Sequence, residues 1–235
     1  MKILSVLLQI SSQVDNPMDL TAITNSTEAQ MNVIDLAVKG GWIMLVLLVL
    51  SLIATFVFIE RIMVIRQAGK RDESFMSRIK DYIYDGKVDS AMKLCQSTNS
   101  PTARMIGKGI SRLGRPTSDV LATIENAGNI EVAKLEKGFP IVASIAGGAP
   151  MIGFLGTVTG MIRSFYTMAN AGANVDITML SGGIYEALVT TVGGLVVGII
   201  AMFAYNYLVA QVGNVVNKLE TGTMEFMDLL NEPSK

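Results

Sequence analysis

Glu186 is the side chain best placed to do chemistry. It is the only charge between Ile177 and Asn217, within Ser181-Gly-Gly-Ile-Tyr-Glu186-Ala-Leu-Val-Thr190-Thr191. A carboxylate held ionised at membrane depth costs a few kcal/mol even on lenient insertion scales. Two roles fit it: a protonatable group lining an internal cavity, or an interfacial Glu that caps a helix or snorkels. Helical steps of four and seven or eight from Glu186 reach Thr190, Gly193 and Gly194, which makes one face small and polar. Thr157 and Thr159, in an earlier apolar stretch, add hydroxyls that could join such a cavity, although a lone intramembrane threonine usually bonds back to its own helix.

The rest of the composition narrows the chemistry. There is no histidine, which removes the usual general base and the commonest metal ligand. No metal or nucleophile constellation points to an enzyme, and none calls for a cofactor. Cys95 is the single cysteine and cannot form an internal disulfide. It sits in a helical-looking stretch, where a small buried residue is expected. A net charge of −1 gives no hint of nucleic acid as a partner.

Half the residues are apolar and only 17% are charged, and the apolar ones gather in three long stretches. Gly40 to Ile59 carries no charge and has Trp42 at one end. About 20 such residues cross a bilayer core, and tryptophan suits the interface. Gly138 to Ile162 is also uncharged but rich in small residues: Gly147, Gly148, Ala149, Gly153, Gly156 and Gly160. Membrane helices that pack closely use such residues, so this is an inner helix, bent by Pro150. The third stretch, Ile177 to Asn217, would be about 60 Å long as a helix, beyond what a bilayer needs. Past it, Val212, Val216, Leu219, Thr223, Phe226 and Leu230 mark either a helix-packing seam or a solvated amphipathic tail.

These elements predict an all-α integral membrane protein. Residues 1–39 form an N-terminal outer segment with an amphipathic helix, opened by the capping-box pattern Thr27-Glu-Ala-Gln30. Transmembrane helices are expected at 40–61, 138–168 and 177–210. Between them lie a cytoplasmic helical domain at 62–137 and an outer loop at 169–176, and a cytoplasmic helix follows at 211–235. Arg61, Arg66, Lys70, Arg71, Lys134 and Lys137 flank the spans on the side of the large loop, while Ala169 to Asp176 has no basic residue. The positive-inside rule then puts the N-terminus outside and the C-terminus in the cytoplasm. Met1 to Gln13 reads as a weak signal peptide or an amphipathic anchor, too short to span. Within the large loop, Asp85-Gly86 and Gly114-Arg-Pro-Thr117 break the chain. Ser100-Pro101 caps a helix, and Thr117 or Ser118 caps another that could run on into the second span.

Two motifs carry a resemblance. Ala143-Ser-Ile-Ala-Gly-Gly-Ala-Pro150-Met-Ile-Gly-Phe-Leu-Gly156-Thr157-Val-Thr-Gly160-Met-Ile-Arg-Ser-Phe165 resembles the second-span signature of the ExbB/TolQ/MotA family of proton-driven motor proteins. Gly183-Ile-Tyr-Glu186-Ala-Leu-Val-Thr-Thr191-Val-Gly193-Gly194-Leu195 resembles the third. Order and spacing are most like the ExbB and TolQ branch, since MotA-like members carry four spans. The loose Gly147-Gly148-Ala149-Pro150 run and the long N-terminal segment depart from the core pattern. The resemblance implies a homo-oligomeric ring, described as a pentamer, in the inner membrane of a Gram-negative bacterium. The ring surrounds an ExbD-like small membrane partner with an essential aspartate. It implies Thr157, Thr191 and Glu186 at pore-lining positions, with the threonines hydrogen-bonding that aspartate and Glu186 facing the pore or a neighbouring subunit. Gly153, Gly156, Gly160, Gly193, Gly194 and Pro150 serve helix packing. Proton flow would drive a TonB-like protein in outer-membrane transport, or, in the TolQ-like alternative, envelope maintenance. A small-solute transporter would normally want more spans or an internal repeat. A membrane scaffold leaves Glu186 and the threonines unexplained.

Overall fold

The structure, a computed structural model, describes residues 40–70, 73–170 and 177–231. The expected N-terminal amphipathic helix, the Met1 to Gln13 segment and nearly all of the loop at 169–176 lie outside them. Seven helices follow in order: α1 Gly41–Ala68, α2 Glu73–Tyr84, α3 Val88–Ser97, α4 Pro101–Ile110, α5 Thr117–Leu135, α6 Phe139–Asn170 and α7 Ile177–Asn231. Among the described residues there is no strand. Helices α1, α6 and α7 are long and apolar enough to cross a membrane, as expected of an all-α membrane protein.

α1 is apolar on every side. Ile43, Leu47, Ala54 and Val57 are buried, whereas Leu45, Leu48, Leu52, Phe56 and Ile59 are exposed. A soluble helix would place charge on that outer face. The buried stripe joins Val142, Ile145 and Ala149 of α6 and Ala201 of α7 in a three-helix core within the spans.

α7 has 55 residues, about 80 Å of helix against a hydrocarbon core of about 30 Å. Its protruding half does not run solvated. Val212, Leu219 and Phe226 are buried, along with Val215 and Leu229, against Phe75, Ile79, Ile106, Ile110 and Ile124 of the loop domain. The packing seam is therefore internal to the chain, and it packs the loop domain against the extension of the third span.

Local chemistry explains the breaks. Ser100 adopts an extended conformation and accepts a hydrogen bond from the Ala103 amide, with Pro101 opening α4. Gly86 and Gly114 hold positive φ at the two turns. Two expectations need correction. Pro116, not Thr117 or Ser118, occupies the cap of α5, with no side-chain cap. Nor does α5 run on into the second span: Gly138, at φ +91°, turns the chain before α6 starts. Val57 and the buried Arg61 of α1 pack against this turn. Arg61 pairs with Glu60 and donates to the Lys134 carbonyl at the end of α5, 3.4 Å away, where helix carbonyls lack partners and favour a cation.

Cys95 is buried between α3 and α4, and burial pushes its thiol up to about 11. Glu131 of α5 is buried as well. Its Oε2 accepts from Arg104 Nε at 3.0 Å and Nη2 at 2.6 Å, and its Oε1 accepts from Lys134 at 2.7 Å. Burial alone would raise this carboxyl, but the donated hydrogen bonds and charges of Arg104 and Lys134 outweigh it and hold it below the usual range. A depressed carboxylate stabilises the fold fully above its unfolded value of about 4.3 and loses that contribution as pH falls through the lower folded value. Thermal melts in detergent should therefore drop more steeply between pH 5 and pH 3 for the native chain than for Glu131→Gln. A difference of about 2–4 °C is expected if the network is worth about 1 kcal/mol. Parallel pH curves would show that Glu131 contributes nothing through its charge.

Candidate functional site at the second and third spans

α6 and α7 run antiparallel and meet along a seam of small residues. From one end to the other, Ser164 faces Gly183, Gly160 faces Ala187, Gly156 faces Thr190, Gly153 faces Gly194 and Pro150 faces Gly198. At Gly194 an added Cβ would lie 2.6 Å from the Ala149 carbonyl oxygen and 2.8 Å from Gly153 Cα. The two backbones thus touch directly, and only glycine permits it. Packing and polar contacts hold such pairs in lipid, where no hydrophobic force separates helix from solvent. Gly147 and Gly148, in contrast, face open space.

One polar contact straps this seam. The Thr157 and Thr191 hydroxyls are in direct hydrogen-bonding contact. Each also reaches the opposite helix: Thr157 donates toward the Ala187 carbonyl at 3.2 Å, and Thr191 toward the Gly153 carbonyl at 3.2 Å. A hydroxyl has one proton and two lone pairs. With both protons directed to carbonyls or to one another, the pair keeps spare accepting capacity and no idle donor. It can accept from a protonated acid without loss. To donate to a carboxylate, it must release a cross-helix bond. Both threonines are only half-buried, so a ligand or partner at the seam's edge can reach them.

Glu186 is not hydrogen-bonded to either threonine among the described residues. Its carboxylate points to the start of α1, with Oε1 2.8 Å from where a Cβ on Gly41 would sit. Gly41 is the first residue of α1 and has φ +62°. That helix end carries unpaired amides and partial positive charge. Gly193 packs on Met44 and Leu47 of α1, so Glu186 and Gly193 face the first span, while Thr191 and Gly194 face the second. The single polar face expected from Glu186, Thr190, Gly193 and Gly194 is thus divided between two neighbours. Thr190 joins both: it is buried, bonds back to the Ala187 carbonyl at 2.7 Å, and fills the notch at Gly156 while touching Gly40. Thr159 stays outside the site, bonded to its own helix at Leu155 and exposed.

The sequence pattern did not single out the Ser164–Gly183 and Pro150–Gly198 contacts. Their signal is the recurrence of small residues at Gly183, Ala187, Thr190, Gly194 and Gly198, a four-three-four-four spacing that keeps one face of α7 small.

A multi-pass membrane protein with a long loop domain, whose second and third spans form a glycine seam strapped by two threonines, is the class that fold and site define. Residues 97–221 match the MotA/TolQ/ExbB proton channel family, and the chain belongs to it. It is 25% identical over 189 residues to an ExbB homolog of Methanothermobacter thermautotrophicus, covering 80% of this chain and 67% of that one. It is 28% identical over 218 residues to the Tol-Pal system protein TolQ of Haemophilus influenzae, covering 85% and 92%. Over a shorter stretch of 105 residues it is 31% identical to the biopolymer transport protein ExbB of Xanthomonas campestris, covering 45% and 41%.

Proposed function

We propose that this chain is the ring-forming subunit of an inner-membrane motor that converts the proton motive force into mechanical work. It assembles as a homo-oligomer, a pentamer by family resemblance, around a small ExbD-like membrane partner whose aspartate takes up and releases the proton. The helical loop domain and the end of α7 lie in the cytoplasm on this reading, in keeping with the basic residues at the ends of α1 and α5. The observation that carries it is the Thr157–Thr191 pair. A protonated aspartate would donate to a threonine lone pair and leave the seam intact, whereas an ionised one must draw a hydrogen from it. The state of one carboxyl is thereby read as a change at the α6–α7 contact. One charge crossing 100 mV is worth about 2.3 kcal/mol, and the desolvation of a buried carboxylate is of similar size. Neither term overwhelms the other, as small reversible steps require. Glu186, at the head of α1, extends the polar route toward the outer side.

The work would pass to a TonB-like protein and outer-membrane transport. A TolQ-like role in envelope maintenance is the second reading. It is favoured by the match to TolQ of Haemophilus influenzae, which spans 92% of that protein.

Native mass spectrometry of the detergent-extracted chain tests this, with and without a co-expressed small ExbD-like membrane protein. A homo-oligomer that takes up that partner is expected. A stable monomer that binds nothing would overturn the ring and revive the transporter reading.

A further inference from the structure

The loop domain carries opposite charge on its two flanks. At about 100° per residue, Ala127, Ile130, Glu131 and Lys134 lie on one flank of α5, while Leu121, Glu125, Gly128 and Val132 lie on the other. The first flank opens on a cavity of about 590 Å³ lined by Met92, Arg104, Lys108, Ile130, Glu131 and Lys134. Among the described residues its one carboxylate, Glu131, is saturated by Arg104 and Lys134, so the flank is positive on balance. The second opens on a groove of about 840 Å³ where α5 meets the end of α7, lined by Glu125, Val132, Glu220, Met224, Met227 and Asp228. Among the described residues no lysine or arginine lines that groove.

We infer that these flanks are two halves of one docking surface for a second copy of this chain. The basic flank of one copy seats on the acidic groove of the next. This rests on the ring reading above and adds where the copies meet. Charge is complementary between the flanks and repulsive within each, so a flank meeting its own twin is disfavoured and head-to-tail contact is favoured. Each flank has an apolar centre to bury: Ile130 is 59% exposed on the basic side and Met224 is 65% exposed on the acidic side. The two flanks occupy overlapping stretches of α5, residues 127–134 and 121–132, and on this reading they meet at one height above the membrane. Copies fixed in one bilayer can rotate relative to one another only about its normal. Head-to-tail contact at equal height then closes into a ring rather than a filament.

Cysteines at Ile130 and Met224 test the contact in the full chain, co-expressed with its small partner and treated in membranes with a short bismaleimide. Both sites are exposed, so folding is not at stake, and buried Cys95 supplies the unreactive background. A chain carrying Ile130→Cys and Met224→Cys should give a ladder of cross-linked multimers. Two single-cysteine chains expressed together should stop at dimers, and either alone should stay monomeric. Adding Glu125→Lys and Glu220→Lys should lower the yield about tenfold, equivalent to about 1.4 kcal/mol, and high salt should lower it too. Cross-linking by Ile130→Cys alone would overturn the head-to-tail arrangement. An uncross-linked double variant that still forms the oligomer in native mass spectrometry would overturn this surface while leaving the ring. A monomer by mass spectrometry would remove the ring itself.

Discussion

Alanine at Gly194 should loosen the second span from the third, whereas alanine at Gly147 or Gly148 should be tolerated. The added carbon at Gly194 meets only backbone: the Ala149 carbonyl, Gly153 Cα and Gly153 nitrogen, at 2.6, 2.8 and 3.1 Å. No side chain can swing aside to admit it, so the helices must part. Overpacking of a tight contact costs about 1–3 kcal/mol, and separating two helices also weakens the threonine strap below. Valine at the same position should cost more. Gly147 and Gly148 have no neighbour within 4 Å of such a carbon, and exchanging glycine for alanine within a helix even favours the fold by up to about 1 kcal/mol. Thermal denaturation of the solubilised chain checks this. The Gly194 variant should melt several degrees lower, and equal melting of all three variants would show that the seam is not held by backbone contact.

The second large effect is expected at the threonine pair. Thr157→Val keeps the shape of the side chain and removes the hydroxyl. Its loss should cost about 1 kcal/mol of stability, the worth of one hydrogen bond, yet reduce proton-driven work by tenfold or more. Thr191→Val should do the same. Because the two hydroxyls act as one unit, the double variant should be little worse than either single one. Thr157→Ser, which restores a donor and acceptor, should recover most of the activity. Thr159→Val is the control: among the described residues that hydroxyl bonds only to its own helix at Leu155 and Gly156, so little change is expected. Energised uptake or envelope integrity in a strain depending on this chain reads the outcome. Full activity in Thr157→Val would remove the pair from the proton route.

Much of this arrangement is legible in the sequence, and the remainder is not for identifiable reasons. The spans announce themselves because lipid excludes charge, and the glycines of α6 announce its close packing on a neighbour. The cap at Ser100 is written in Ser-Pro. Gly138 is different: a lone glycine after Lys134 and Lys137 is compatible with a continuous helix, yet it takes positive φ with Val57 and Arg61 of α1 beside the turn. Arg61 reads as a basic residue flanking the first span, and the sequence gives no sign that it reaches the end of α5. The direction of Glu186 is likewise a tertiary matter. Adjacent helical positions differ by about 100°, so Glu186 and Ala187 look toward different neighbours, and only the placement of α1 and α6 says which. The Thr157–Thr191 contact depends on the register of two antiparallel helices, which periodicity within either helix leaves open.

Proton flux through the chain in liposomes tests the motor reading most directly. The native chain, co-purified with its small membrane partner and reconstituted under an imposed potential, should acidify the lumen as reported by a pH-sensitive dye. The same complex carrying Thr157→Val or Glu186→Gln should do so at a tenth of that rate or less, and the chain without its partner should not conduct. Equal flux from the chain alone, or from the Thr157→Val complex, would contradict a route shared between the threonine strap and a carboxyl on the partner.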